Sequence, residues 1–244
     1  MTDTTKHSKD SKGSAHYNTR SLFGRRQGRP LGIERQGAMD TLLPKIKIPE
    51  DKLTEDHSCS PSTLFSAPLS SYWLEIGFGQ GEHVAALSAQ NPQTGYMGAE
   101  PYVNGMAAFL KKIEDKPTDN IRVLMDDGMM IALSLAPASL DGIYILNPDP
   151  WHKKRHHKRR IIKQENLDVF ARILKPGGQL ILTSDVEDLA EWMCTHTCNH
   201  PDFIWQAKSK DDWSIPPKDW IPTRYEQKGA KGSKKMVYLL YKRK

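Results

Sequence analysis

The chain has little cysteine: Cys59, Cys194 and Cys198 are its only thiols in 244 residues. So few, and an odd number, cannot form a disulfide framework and suit a reducing compartment. Long apolar runs are missing as well. No stretch approaches the roughly 20 apolar residues that span a bilayer, and the first residues lack the apolar centre of a signal peptide. These absences predict a cytoplasmic protein that does not enter a membrane. No serine or cysteine sits in a nucleophile elbow beside a convincing base, which excludes a covalent-catalysis signature. Cys194, His196, Cys198 and His200 alternate along one segment. On a helix, Cys194 and Cys198 share a face that His196 leaves, and no second cysteine pair completes a tetrahedral site. His152, His156 and His157 stand among lysines and arginines that oppose a dication. We expect no metal.

What is present is cationic and unevenly placed. The 35 lysines and arginines exceed the 29 acidic residues, a formal charge of +6 that is compatible with a polyanionic partner. Residues 1–20 are polar and nearly devoid of large apolar side chains, the composition of a disordered tail. Residues 21–50 read as a basic N-terminal arm and a short helix. Within them Phe23-Gly24-Arg25-Arg26-Gln27-Gly28-Arg29-Pro30 suits either a phosphate-contacting arm or a solvated extension of the tail. Met39 to Ile48 is amphipathic and begins the folded body. The remaining domain is expected over 51–244, opening with a loop rich in proline and serine that runs to Ser70.

The centre alternates strand-like and helix-like runs, the pattern of an α/β fold with a mostly parallel sheet covered by helices. Strands are predicted at Tyr72–Ile76, Thr94–Ala99, Ile121–Met125, Leu140–Leu146 and Gln179–Thr183. Helices are predicted at Glu82–Ala89, Tyr102–Ile113, Arg159–Leu174 and Leu189–Cys198. Lys175-Pro176-Gly177-Gly178 reads as the stop after the third of these. Phe203–Ala207 and Met236–Tyr241 suit a terminal antiparallel pair.

A ligand signal lies where the first strand ends, at Leu74-Glu75-Ile76-Gly77-Phe78-Gly79-Gln80-Gly81-Glu82. Glycines at this spacing let the backbone turn sharply and approach a ligand before a helix begins. The glycines alone are generic to nucleotide-binding folds, and the charges discriminate among them. Glu75, Glu82, Glu100 and the pair Asp126-Asp127 ring the predicted strand ends and would repel a pyrophosphate. They suit S-adenosylmethionine, which carries a cationic sulfonium and ammonium and no phosphate. Glu100 ends the second strand, where a carboxylate accepts from ribose hydroxyls. One of Asp126 and Asp127 is expected to face the ligand, the other to cap the next helix.

The segment Leu146-Asn147-Pro148-Asp149-Pro150-Trp151-His152-Lys153-Lys154-Arg155-His156 places a carboxylate between two prolines and a cationic block after it. Asn147 and Asp149 each precede a proline and are therefore expected to be extended. Trp151 is set either to stack on a base or to pack behind the turn. The run from Lys153 to Arg160 is expected to meet nucleic-acid phosphates.

Together with Gly98-Ala99-Glu100, Lys158-Arg159-Arg160, Thr183-Ser184-Asp185 and Pro222-Thr223-Arg224-Tyr225-Glu226-Gln227-Lys228-Gly229, these blocks resemble the bacterial tRNA (guanine-N7-)-methyltransferase family. The resemblance runs from about Phe23 to the C-terminus. It implies a Rossmann-like class I methyltransferase with a mostly parallel seven-stranded sheet and helices on both faces. The implied cofactor is S-adenosylmethionine, the partner tRNA, and the target the variable-loop guanine at position 46. By the same likeness Glu75, Gly77, Gly79, Glu100, Asp127 and Asp149 line the cofactor site, and Asp149 is also the catalytic residue. Lys153, Asp185, Thr223, Arg224, Tyr225 and Glu226 contact the substrate. Asn147 departs from the family, which often has an aromatic or aliphatic residue there. Monomer and homodimer are both compatible with the sequence. Two other readings remain open: an exocyclic-amine nucleic-acid methyltransferase, from a loose likeness at Asn147–Trp151, and a non-catalytic RNA-binding protein on the same fold.

Overall fold

A computed structural model describes residues 23–54, 56–227 and 235–244. The expected tail at 1–20 and most of the Gly/Lys-rich run after Gln227 lie outside the described residues.

Seven strands form one sheet: β1 (Ser71–Ile76), β2 (Thr94–Ala99), β3 (Ile121–Leu124), β4 (Leu140–Leu146), β5 (Leu174–Ser184), β6 (Phe203–Trp205) and β7 (Val237–Arg243). Their spatial order is β3-β2-β1-β4-β5-β7-β6. The first five pair in parallel, and β7 runs antiparallel to both β5 and β6. The inner strands read as nearly continuous apolar runs because helices cover both faces. Leu74, Met97, Ile143, Leu180 and Leu182 are accordingly fully buried. β1 lies between β2 and β4, so the chain winds away from it in both directions. Such a switch point opens a crevice at the carboxyl ends of the strands, where open α/β sheets bind ligands.

Nine α-helices accompany the sheet among the described residues: α1 (Ile33–Thr41), α2 (Leu43–Ile46), α3 (Glu82–Gln90), α4 (Val103–Ile113), α5 (Gly128–Ser134), α6 (Gln164–Ile173), α7 (Glu187–Cys198), α8 (Asp211–Ser214) and α9 (Arg224–Gln227). In α4 the expected stripe of Met106, Phe109, Leu110 and Ile113 is wholly buried. Ala38 of α1 and Ile46 of α2 join that cluster, and the Ile48 amide donates to the Val123 carbonyl at 2.9 Å. The body therefore starts near Ile33, some residues before the amphipathic stretch that marked it in the sequence.

Two expectations are corrected. The helix expected from Arg159 begins only at Gln164, and Lys154–Arg159 form a 3-10 turn. A run of cations at a helix N-terminus opposes the macrodipole and repels itself, and Arg160 is drawn into the body instead. Nor does Lys175-Pro176-Gly177-Gly178 stop the chain before a new strand. β5 already starts at Leu174 and absorbs these residues as an irregularity opposite Leu140 and Gly142, with Gly177 at φ +79°.

Candidate active site

The crevice is built first by the loop after β1. Gly77, Gly79 and Gly81 all have positive φ, which side chains rarely tolerate. A Cβ on Gly77 or Gly79 would meet nothing within 4 Å, so these two leave open space beside the backbone. At Gly81 it would collide with Phe109, so close packing adds a second reason for glycine. Glu100, at the end of β2, reaches across to this loop. Its carboxylate accepts from the Gly79 amide at 2.7 Å and the Tyr102 amide at 2.9 Å. Burial raises its pKa; the two amides oppose that shift, and the charges of Asp149 and Glu75 add to it.

The other members of the acidic ring have different partners. Glu75 is buried, and its carboxylate lies 2.9 Å from Nδ1 of the equally buried His83 on α3. His83 was not marked in the sequence; its ring packs against Tyr144 and Trp220. Glu82 pairs with Lys112 at 3.1 Å and Asp126 with Arg26 at 3.3 Å, so neighbouring cations answer both carboxylates. Asp127 caps α5 through Met129 N at 2.9 Å and also lines the crevice. The capping and cavity-facing roles thus meet in one residue.

Two cavities share the crevice. The larger, about 450 Å³, holds Gly77, Glu100, Asp127, Asn147 and Asp149, with Phe23 of the arm at its edge. The smaller, about 290 Å³, lies between the glycine loop and Thr223, Arg224 and Tyr225, with Glu75 and Asn147 in its wall. The acidic side chains suit a cationic ligand that carries hydroxyls: Glu100, Asp127 and Asp149 line the larger cavity and Glu75 and Glu82 the smaller, while Lys158, Arg159, Arg160 and Lys163 also line the larger and Arg224, bound to Gln80, the smaller.

β4 delivers the proline-braced turn to the seam between these cavities. Asp149 opens into the larger one and is exposed to solvent there, while desolvation by the surrounding protein raises its carboxyl pKa from the ordinary value. Asn147 is not extended as its following proline predicts; its φ is +49°. Asparagine is among the few residues that accept this region, and its backbone N–H donates to the Thr183 carbonyl at 3.0 Å and hydroxyl at 3.2 Å. Trp151 also has positive φ, +48°. It meets Phe23 edge-on, and the Arg159 guanidinium lies over both rings, 4.0 Å from Phe23 and 5.0 Å from Trp151. Trp151 thus packs on Phe23 and Arg159 while also lining the larger cavity.

The basic block divides. Lys153, Lys154, Arg155 and Lys158 are exposed, Arg159 is half-buried, and Arg160 is 1% exposed. The expectation that Arg160 meets phosphates is therefore corrected. Its Nε donates to the Pro150 carbonyl at 2.9 Å and its guanidinium binds Asp188 at the start of α7. It braces the turn from behind.

The predicted substrate residues other than Lys153 gather on the far side of Asn147. The Tyr225 hydroxyl donates to Asp185 at 3.0 Å, and both burial and that carboxylate raise its pKa. Glu226 accepts from Trp220 Nε1 at 2.9 Å and from Asn147 Nδ2 at 3.4 Å; Thr223 Oγ1 lies 3.5 Å from the same Nδ2. Lys153 stands apart at the exposed start of the 3-10 turn. Among the described residues no group of three or more metal-ligating side chains occurs. Cys194 and Cys198 lie 3.8 Å apart on α7 without further ligands. Among the described residues no helix is long and apolar enough to cross a membrane.

Comparison with known proteins places this geometry. A family model described as "Putative methyltransferase" matches residues 70–239. The 16S rRNA methyltransferase KamB shares the fold at a TM-score of 0.50 and 16% identity, over 72% of this chain and 89% of its own. A tRNA (guanine-N(7)-)-methyltransferase of Rhodospirillum rubrum is 40% identical over 91% of this chain and 88% of its own length. One from Rhizobium meliloti is 43% identical over 92% and 96%. Likeness at this level, running through the crevice, the proline-braced turn and the Thr223–Glu226 segment, means that the chain is a methyltransferase and belongs to the tRNA (guanine-N(7)-)-methyltransferase family.

Proposed function

We propose that the protein transfers a methyl group from S-adenosylmethionine to N7 of a guanine in tRNA, the variable-loop guanine at position 46. The observation that carries this reading is the carboxylate-lined crevice opening directly onto the Asn147–Asp149 turn and, beyond it, onto Thr223–Glu226. In this reading Glu100 accepts from the ribose hydroxyls, Asp127 stands at the adenine side, and Glu75, Gly77 and Gly79 border the methionine end. Bound there, the cofactor supplies an electrophilic methyl group on a positively charged sulfur. Guanine N7 has an in-plane lone pair and carries no proton. Its attack on the methyl carbon, as the carbon–sulfur bond breaks and the sulfur keeps the electron pair, leaves no proton to remove. No general base is required.

What the chain must supply is in-line placement, an effect worth several kcal/mol, on the order of that from other well-oriented intramolecular reactions. We assign Asp149 that role: its carboxylate, crowded by the turn and the arm, orients the reactants by charge and hydrogen bonding. Lys153, Asp185, Thr223, Arg224, Tyr225 and Glu226 form the proposed tRNA-facing rim, and a tRNA substrate places the reaction in the cytoplasm. The test is incubation with unmodified tRNA and methyl-labelled cofactor, followed by mapping and mass analysis of the modified nucleoside. The expected product is 7-methylguanosine in the variable loop. Label on an exocyclic amine would replace this assignment with the amine-directed reading. Absence of both label and cofactor binding by calorimetry would leave only an RNA-binding fold.

A further inference from the structure

Asn147 lines both cavities of the crevice, and its side chain is held from one end only. Its Nδ2 donates to Glu226 Oε1 at 3.4 Å and to Thr223 Oγ1 at 3.5 Å. This orientation is set by chemistry: the flipped amide would turn its oxygen towards a carboxylate. Oδ1 therefore points away from Glu226, and it is a buried atom with no hydrogen-bond partner in the protein. A buried acceptor without a donor is costly and rare in native structures. Here it cannot relax easily. The backbone is pinned to Thr183 in the left-handed region, and the amide nitrogen is pinned to the segment that carries Thr223 and Glu226.

We propose that Asn147 Oδ1 accepts a hydrogen bond from the exocyclic N2 amine of the target guanine, which makes Asn147 a specificity-determining residue for the base. This rests on the function proposed above. The ligands of such a site bring the cofactor's ammonium, ribose hydroxyls and adenine amine, which the reading above gives to Glu75, Glu100 and Asp127, and the amines of the base. A cation is matched by the carboxylates that already border the crevice, Glu75 among them, whereas a neutral carboxamide oxygen matches a neutral amine. Guanine carries that amine at C2, on the edge of the ring opposite N7. The contact would read the base from the side remote from the reacting atom and leave N7 free. Adenine has only hydrogen at C2 and would leave the oxygen unpaired, the situation in which a polar pocket discriminates most strongly.

Inosine tests this directly, because it keeps N7, O6 and N1–H and lacks only the N2 amine. Kd for the cofactor-free protein and kcat/KM for the complete reaction are measured with tRNAs bearing guanosine or inosine at the modified position. Wild type is expected to prefer guanosine by roughly 10-fold to 100-fold, the span of one good hydrogen bond to a base edge. Asn147→Leu should lower the guanosine values to the inosine level; because it also loses the Nδ2 bonds to Thr223 and Glu226 and places leucine at a left-handed φ, the guanosine-to-inosine ratio rather than the absolute values reads the Oδ1 contact. Equal use of both tRNAs by wild type would overturn the contact whether or not the variant folds. A guanosine preference that survives in Asn147→Leu, or a loss confined to the S-adenosylhomocysteine Kd, would overturn it too. Failure of wild type to methylate any tRNA is a separate result, which removes the underlying function.

Discussion

Asp149 and Glu100 are carboxylates with raised pKa values in one crevice, and they differ in what holds them. Glu100 has an amide donor on each oxygen; Asp149 has desolvation as the cause of its shift and no countering hydrogen bond. Asp149→Asn therefore removes a crowded charge without stranding a donor. We expect unchanged or slightly higher thermal stability together with loss of methyl transfer, a trade common at functional sites. A melting temperature well below wild type would show Asp149 to be structural, and near-normal turnover would remove its orienting role. The pH dependence follows from the same shifts. A carboxyl whose folded pKa is raised contributes stability that is complete below the ordinary value, 4.5 for Glu100, and lost as pH rises through the folded value. The ionised Glu100 thus costs the free protein stability near neutral pH, and in the proposed complex it regains that cost by accepting from the ligand. Affinity for S-adenosylmethionine should fall on acidification, beginning above the pH at which an ordinary glutamate protonates, and Glu100→Ala should flatten the profile. Calorimetry across pH 4.5–7.5 reads this directly; a profile that is flat in wild type would contradict it.

At the scale of elements, the site depends on side chains that tie one element to another. Arg160 links the turn after β4 to the start of α7 through Pro150 and Asp188. It also lowers the Asp188 pKa, so this contribution is present above the ordinary aspartate range and fades as pH falls through the lowered value. Asp188 is largely exposed, and solvent screens the pair. The buried guanidinium carries most of the effect. Arg160→Ala should cost about 1–3 kcal/mol, a fall in Tm of about 2–4 °C for each, while Lys153→Ala should leave Tm unchanged. Equal Tm values for the two variants would remove the brace. His83 ties β1 to α3 through Glu75. His83→Ala leaves the buried Glu75 carboxyl without its hydrogen-bond partner, at a cost of about 1–3 kcal/mol, and a paired Glu75→Leu/His83→Leu change should recover most of it. A double variant no more stable than His83→Ala would show that the loss comes from packing against Tyr144 and Trp220. These ties explain what was legible beforehand. β1, β2, β4 and α4 follow from apolar periodicity and Glu100 from its place at a strand end, whereas the choice of Asp127 over Asp126 rests only on the family resemblance. The Arg160 brace, the Glu75–His83 pair and the left-handed Asn147 had no local signal. Each is decided by a partner distant in the chain, against the local preference of a cationic run or a pre-proline residue.

For the whole molecule the question is where a polyanion sits. A net +6 distributed over the chain says little, but the structure exposes Lys153, Lys154, Arg155 and Lys158 on one 3-10 turn directly beyond Asp149. Arg25, Arg26 and Arg29 approach the same crevice from the arm: the Arg26 carbonyl accepts from Val103, and the Arg29 carbonyl from Asn104. Arg26 is already paired with Asp126, which leaves the turn as the freer cationic surface. Binding that neutralises phosphates releases counterions, so the logarithm of affinity falls with the logarithm of salt by about 0.7–0.9 per contact. Replacing Lys153, Lys154, Arg155 and Lys158 together with glutamine should reduce that slope by about 3 if each meets a phosphate. Arg160→Gln should weaken stability and turnover and leave the slope where it was, because a buried guanidinium releases no counterion. Fluorescence titration with unmodified tRNA between 50 and 300 mM salt separates the two. A fourfold glutamine variant that keeps the wild-type slope would move the RNA track off this turn, to the arm or to the rim around Thr223–Glu226. A slope that also falls in Arg160→Gln would mean that the turn has lost the shape that presents its lysines.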